Sequence, residues 1–243
     1  MFRFNFIRSA RDWMGNVILI LLPIILIGFF YFVYSDEGAG LEGVGDSNQF
    51  ATMLTISFAL IFQIYGSAHS FETIGMDFLS PKRDRLLATP AEPRKMILSI
   101  LMTSILVSFL QTMIVVLFSM LVLDATFPNF VWVALVLLIS VVFNQLFGTI
   151  ILFATQKVNT ATAVTSLYGT VVPIISGMYF PMPDTPLFNF IGDYLTPLAL
   201  ANTAIEGAMS EEWDQLVTGV VPLLLIIGIF MALLNPLSKK VNV

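Results

Sequence analysis

The sequence predicts an all-α, polytopic membrane protein with six transmembrane helices, and three observations carry that prediction. Of its 243 residues, 57% are hydrophobic and only 11% are charged, against roughly 25% charged in a typical soluble domain. So few charges cannot solvate a soluble surface of this size. Second, the charges are segregated and leave uncharged runs at 13–35, 50–71, 96–123, 125–156, 158–183 and 215–238. A hydrocarbon core of about 30 Å takes roughly 20 residues of apolar helix, so each run crosses once and none crosses twice. Third, the basic residues sort by side. With the N-terminus inside, the inside segments hold Arg3, Arg8, Arg11, Lys82, Arg83, Arg85, Arg94, Lys95, Lys157, Lys239 and Lys240, all 11 of them. The outside segments hold none. Basic residues retained in the cytoplasm set orientation, so both termini are expected to be cytoplasmic.

The elements follow in order within a single transmembrane domain, 1–243. Residues 1–14 form an amphipathic, interfacial helix: Phe2, Phe6, Ile7, Ala10, Trp13 and Met14 share one arc, and Asn5, Arg8, Ser9, Arg11 and Asp12 the other. Such a helix lies in the interface with aromatics inward and arginines toward lipid phosphates. The spans are expected at 17–34, 51–71, 97–122, 130–153, 160–179 and 216–234. The first has an apolar core too long for a secretory signal and is expected to be retained. Loop 36–49 is acidic and glycine-rich, and loop 124–129 turns tightly around Pro128. Segment 180–214 carries Leu187, Phe188, Phe190, Ile191, Tyr194, Leu195, Leu198 and Leu200. It is apolar enough to be an outer re-entrant segment, which lipid tolerates only when it packs on protein or lines water.

Several function classes recede on composition. There is no cysteine and one histidine, His69, so no thiolate or multi-histidine metal centre is expected. No catalytic constellation, bound cofactor or nucleic-acid site is indicated, and no G-x-x-x-x-G-K-[ST] occurs, so this chain is not itself expected to hydrolyse ATP. Charges inside the spans are missing, as is any inverted repeat, which weighs against ion coupling. Gln63, His69, Gln111, Asn144 and Gln145 are expected to satisfy neighbours across helices. In span 5, Ala161, Thr165, Gly169, Pro173 and Gly177 recur every fourth residue, beside a hydroxyl row of Thr162, Ser166 and Thr170. Small stripes let helices approach closely and hydroxyls bond across the contact. The row is read as helix packing, a subunit interface or a substrate pathway. Gly177 and Pro181 are expected to break the helix there.

The segment between spans 2 and 3 is the most specific. Ser80-Pro81 is a helix start, and Pro90 and Pro93 end it. The product is a short helix at 81–88, with Lys82, Arg83 and Arg85 as a cationic patch and Leu86-Leu87 at its end. Held between two spans, it suits docking to another protein.

Two regions give the chain a resemblance to the membrane permeases of type-2 ATP-binding-cassette exporters, which include drug, antibiotic and polysaccharide exporters. Arg85-Leu86-Leu87-Ala88-Thr89-Pro90 resembles the family's Arg-Leu-Leu-small-small-Pro stretch, with Glu72 and Gly75 upstream near its acidic-glycine positions. Ser176-Gly177-Met178-Tyr179-Phe180-Pro181, continuing through Pro186 to Tyr194-Leu195-Thr196-Pro197-Leu198, is similar to its glycine, aromatic-proline and Leu-Thr-Pro landmarks. The stretch from Glu72 to Arg85 departs from the compact Glu-Arg-Glu-x-Gly-Thr form of many members.

The resemblance implies that 81–88 is a coupling helix seated on a separate ABC ATPase subunit that binds ATP and Mg. Glu72, Gly75, Arg83, Arg85, Leu86, Leu87 and Pro90 would then transmit the stroke. It also implies a dimer with a second permease copy or paralogue, set among membrane lipid in a bacterial plasma membrane. The cargo expected is a hydrophobic or amphiphilic compound: a drug, an antibiotic or a lipid-linked molecule. The rival readings are a gradient-driven secondary transporter and a non-transporting membrane accessory protein.

Overall fold

The computed structural model describes residues 2–34, 47–81, 83, 92–179 and 185–240. Its helices are α1 (Phe2–Arg11), α2 (Trp13–Tyr34), α3 (Ser47–Gly66), α4 (Ala68–Phe78), α5 (Pro93–Val122), α6 (Phe130–Thr155) and α7 (Val158–Ile175). Then follow α8 (Pro186–Phe190), a π-helical turn at Ile191–Leu195, α9 (Pro197–Ser210) and α10 (Trp213–Lys240). There is no strand among the described residues. Six stretches are long and apolar enough to cross a bilayer: Trp13–Tyr34, Ser47–Phe78, Pro93–Val122, Phe130–Thr155, Val158–Ile175 and Trp213–Leu234. Their number is the six expected from the sequence, and the protein is a multi-pass membrane protein.

Burial sorts the helices into a centre and a periphery. The α3–α4 pair and α6 form the centre, where Phe71, Ile74, Leu137 and Leu152 are sealed from the surface. At the periphery, α2 buries only Pro23 and Ile27, and its Ile18, Ile25, Phe29 and Phe32 point outward. An apolar outer face is stable here because lipid tails are as apolar as leucine. Helix association then rests on close packing and interhelical hydrogen bonds.

The second span departs from a single helix. It breaks at Ser67, where α3 gives way to α4. A break at this depth frees backbone groups that must find partners, because lipid supplies none. The Ser67 hydroxyl donates to the Ile64 carbonyl at 2.7 Å. From α6, Gln145 Nε2 donates to the Gly66 carbonyl at 3.0 Å and to Ser108 Oγ on α5 at 2.7 Å. Ser70 Oγ and Thr149 Oγ1 both donate to the Gln145 carbonyl, at 3.3 and 2.8 Å. Four helices are thereby joined at one buried polar knot.

The fifth span is shorter than expected and ends at Ile175. Gly177, at φ 69°, takes a left-handed conformation that only glycine adopts freely, and the chain turns away there. Pro181, the other expected breaker, lies outside the described residues. Ser176 Oγ and Thr196 Oγ1 meet at 2.6 Å, so the end of α7 is tied to the cap of α9. Thr196 accepts from the Ala199 N–H, and Pro197 occupies the first turn of α9. Pro186 opens α8 in the same way. Leu187, Phe190 and Leu195 are exposed, whereas Leu198, Leu200, Ala204 and Ile205 are buried beneath α10 and α6. The apolar segment after span 5 therefore divides into an outward-facing first half and a packed second half.

Candidate functional site

At one end of the bundle the basic elements gather: α1, the end of α4, the start of α5 and the α6–α7 corner. Asn5 Nδ2 on α1 donates to Ser99 Oγ on α5 at 3.0 Å. Arg8 Nη1 donates to both carboxylate oxygens of Asp77 on α4, at 2.9 and 2.7 Å. For Arg8 alone this differs from the expected contact with lipid. Arg8 does not reach for lipid phosphate. Asn5, Arg8 and Ser9 lie against the protein, and Phe4, Ile7 and the neighbouring Trp13 and Met14 are exposed. A helical wheel fixes which residues share a face, while the carboxylate on α4 decides which face turns inward.

The Arg8–Asp77 pair is half-buried on the arginine side, so solvent screening limits its strength to about 1 kcal/mol. Arg8→Ala is expected to leave the spans intact and loosen α1. Faster tryptic cleavage after Arg11 in the purified variant would show it, and an unchanged rate would sink the latch.

Gly75 is buried where α4 crosses the α6–α7 corner. A Cβ there would fall on Val158 Cγ2 and within 3.5 Å of Leu152 Cδ1. Its hydrogen atom is what lets α4 lie so close. Three residues earlier, Glu72 faces a cavity of about 290 Å³ between α1, α4 and α5, whose walls include Asp12, His69 and Ser104. Arg83 follows the end of α4, its N–H bonded to the Ser80 carbonyl at 3.0 Å. Arg85, Leu86, Leu87 and Pro90, with most of the expected helix 81–88, lie outside the described residues.

This arrangement is a bundle of six crossings with a basic, polar end. A family model for ABC-2 type transporters matches residues 1–210. The chain belongs to the ABC-2 type transporter family. The match runs from α1 to Ser210, the last residue of α9. No curated protein and no solved structure matches the chain. It is the membrane-embedded, non-catalytic component of an ABC-type transporter.

In this ABC-2 permease the stripe on α7 and the hydroxyl row beside it separate. Ala161, Thr165, Gly169 and Pro173 are buried within the subunit. Gly169 lies under Tyr65 of α3, where a Cβ would stand 3.0 Å from the ring. Thr165 Oγ1 is buried and has no partner among the described residues. Ser166 and Thr170 face outward and Thr162 sits at the margin. Thr162 and Thr170 bond only to carbonyls one turn back, at 3.1 and 2.9 Å. Packing therefore accounts for the stripe but uses none of the outward hydroxyls. Sequence periodicity placed both rows without saying which was inside. The polar knot at Ser67 had no signal, since its donor lies 79 residues from its acceptor.

Proposed function

We propose that this chain is the membrane subunit of an ATP-driven exporter. It works with a separate ABC ATPase that carries ATP and Mg, and with a second permease subunit. The basic end faces the cytoplasm of a bacterial cell. The family match over α1–α9 carries this reading, with the basic segment between spans 2 and 3 as the ATPase contact. On this reading α4 is the strut. It runs from the break at Ser67 to the segment that would seat on the ATPase, and is held by Val158 at Gly75 and by Arg8 at Asp77. A push on the segment would then pivot α4 about Ser67.

The exposed Ser166 and Thr170 on α7 are assigned to the second subunit or the pathway. An amphiphilic cargo suits a face with hydroxyls beside Val164, Leu167 and Val171. Replacing Ser166 and Thr170 together by alanine is expected to change stability by less than about 0.5 kcal/mol while lowering efflux. An unfolded variant, or unchanged efflux, would remove the assignment.

The experiment is purification of the tagged chain in mild detergent from its own cells, with mass spectrometry of co-purifying proteins. A P-loop ATPase recovered with the wild type and lost from Arg83→Glu/Arg85→Glu is the expected result. Variants that keep the ATPase, or a preparation free of one, would overturn the reading.

A further inference from the structure

We infer that the cavity between α1, α4 and α5 is a binding site for a primary alkylammonium ion. The argument starts from charge. Arg8 and Asp77 neutralise each other, which leaves Asp12 and Glu72 as the charged groups on the cavity wall. The Glu72 carboxylate has no hydrogen bond or ion pair among the described residues, and its electrostatic neighbour is the carboxylate of Asp12. Asp12 makes one long contact, 3.4 Å from the Gly15 N–H. His69 makes no salt bridge to either acid among the described residues; its Nε2 lies 3.4 Å from Gln111 Nε2, which also donates to Asn16 Oδ1 at 2.8 Å.

A second observation is independent of the acids. Ser104 on α5 is only 3% exposed, lines the same cavity and makes no hydrogen bond to any described residue. A buried hydroxyl is ordinarily paired, so this one is free for a ligand. Three acceptors thus face the space from three walls: Asp12 at the α1–α2 junction, Glu72 on α4 and Ser104 on α5. An R–NH₃⁺ group brings one positive charge and three N–H donors. The space is far larger than the roughly 30 Å³ of a water, and no cluster of three or more metal-ligating side chains occurs among the described residues. Met76 and Ile100 on the lining suit the methylene groups of an organic cation.

Two sources present this chemistry: the ethanolamine headgroup of a phospholipid and a soluble amine. Ile7, Trp13 and Met14, on the same α1–α2 stretch that supplies Asp12, are apolar and exposed, so that stretch suits the membrane interface, where headgroups are at hand. The test uses the full chain. In detergent, ethanolamine and spermidine are titrated while thermal unfolding is followed. In nanodiscs of phosphatidylglycerol, phosphatidylethanolamine is compared with phosphatidylcholine. A rise in Tm of roughly 5 °C at saturation is expected. A rise with phosphatidylethanolamine alone assigns the headgroup, a rise with free amines alone assigns a soluble ligand, and both support the site. The Asp12→Asn/Glu72→Gln variant should lose the response while gaining ligand-free stability, because two like charges no longer face each other. Ser104→Val, which keeps both acids, should weaken binding roughly tenfold. No rise in either arm, an equal rise with the quaternary ammonium of phosphatidylcholine, or an unchanged response in the variants would overturn the proposal.

Discussion

Gly75→Ala is expected to lower the melting temperature of the purified chain by about 5 °C. The added methyl lands on Val158 Cγ2, with Leu152 Cδ1 close behind. Val158 opens α7, and a β-branched residue in a helix has one strongly preferred rotamer, so it cannot swing aside. Leu152 is fully buried and has no room to retreat. Overpacking of this kind costs about 1–3 kcal/mol, which is several degrees for a chain of this length. Val158→Ala in the same chain should restore most of the loss, since it removes the colliding methyl. The double variant also separates two roles for Gly75. If its work is to let α4 lie against the α6–α7 corner, Gly75→Ala/Val158→Ala recovers both stability and transport. Recovery of stability alone would mean that Gly75 is needed by something outside this subunit.

The six crossings were legible because the cause was local. Charges cannot enter the hydrocarbon core, so their absence from 20-residue windows marks the helices whatever the partners are. Gly177 was legible for a similar reason: a glycine at the end of an apolar run, with prolines beyond, ends a helix by its own backbone preference. What escaped was decided by contacts between distant segments. Nothing in Gly66-Ser67-Ala68 forbids a continuous helix. The break is held by Gln145, a residue of the fourth span read only as satisfying some neighbour. The same holds for α1, whose polar arc was correct while its inward partner, Asp77, lay in another element.

The candidate site divides along the same line. Glu72 and Gly75 stand near family-motif positions and Arg83 belongs to the cationic patch beyond them, and their positions differ in kind. Gly75 is sealed against Val158, Glu72 looks into a cavity, and Arg83 sits at the foot of α4. Sequence order groups them. The fold gives them separate mechanical and electrostatic tasks, and a single substitution in each would therefore fail for a different reason.

Gln145→Leu tests the knot at the break in the second span, and it should cost more than an ordinary interhelical hydrogen bond. Such bonds average about 0.6 kcal/mol in membrane proteins, because the separated helices find substitute partners. Here the acceptor is a carbonyl freed by a helix break, and the remaining donor, Ser108 Oγ, is 3.5 Å away. An orphaned buried carbonyl costs about 1–3 kcal/mol, and Ser108 Oγ loses its own donor at the same time. Leucine is close to glutamine in volume, so no cavity confuses the result. Only the N–H₂ end of the side chain is lost, since Gln145 Oε1 has no partner among the described residues. A fall in Tm of about 6 °C is expected, together with faster amide hydrogen exchange confined to residues 64–71. Thr149→Val removes one bond to the Gln145 carbonyl and leaves the clamp on Gly66 in place, so it should cost less than half as much. If Gln145→Leu melts within about 1 °C of wild type, the break at Ser67 is set by the packing of α3 and α4 and not by the knot. If exchange rises along all of α6 instead, Gln145 holds the fourth span in place and the joint is elsewhere.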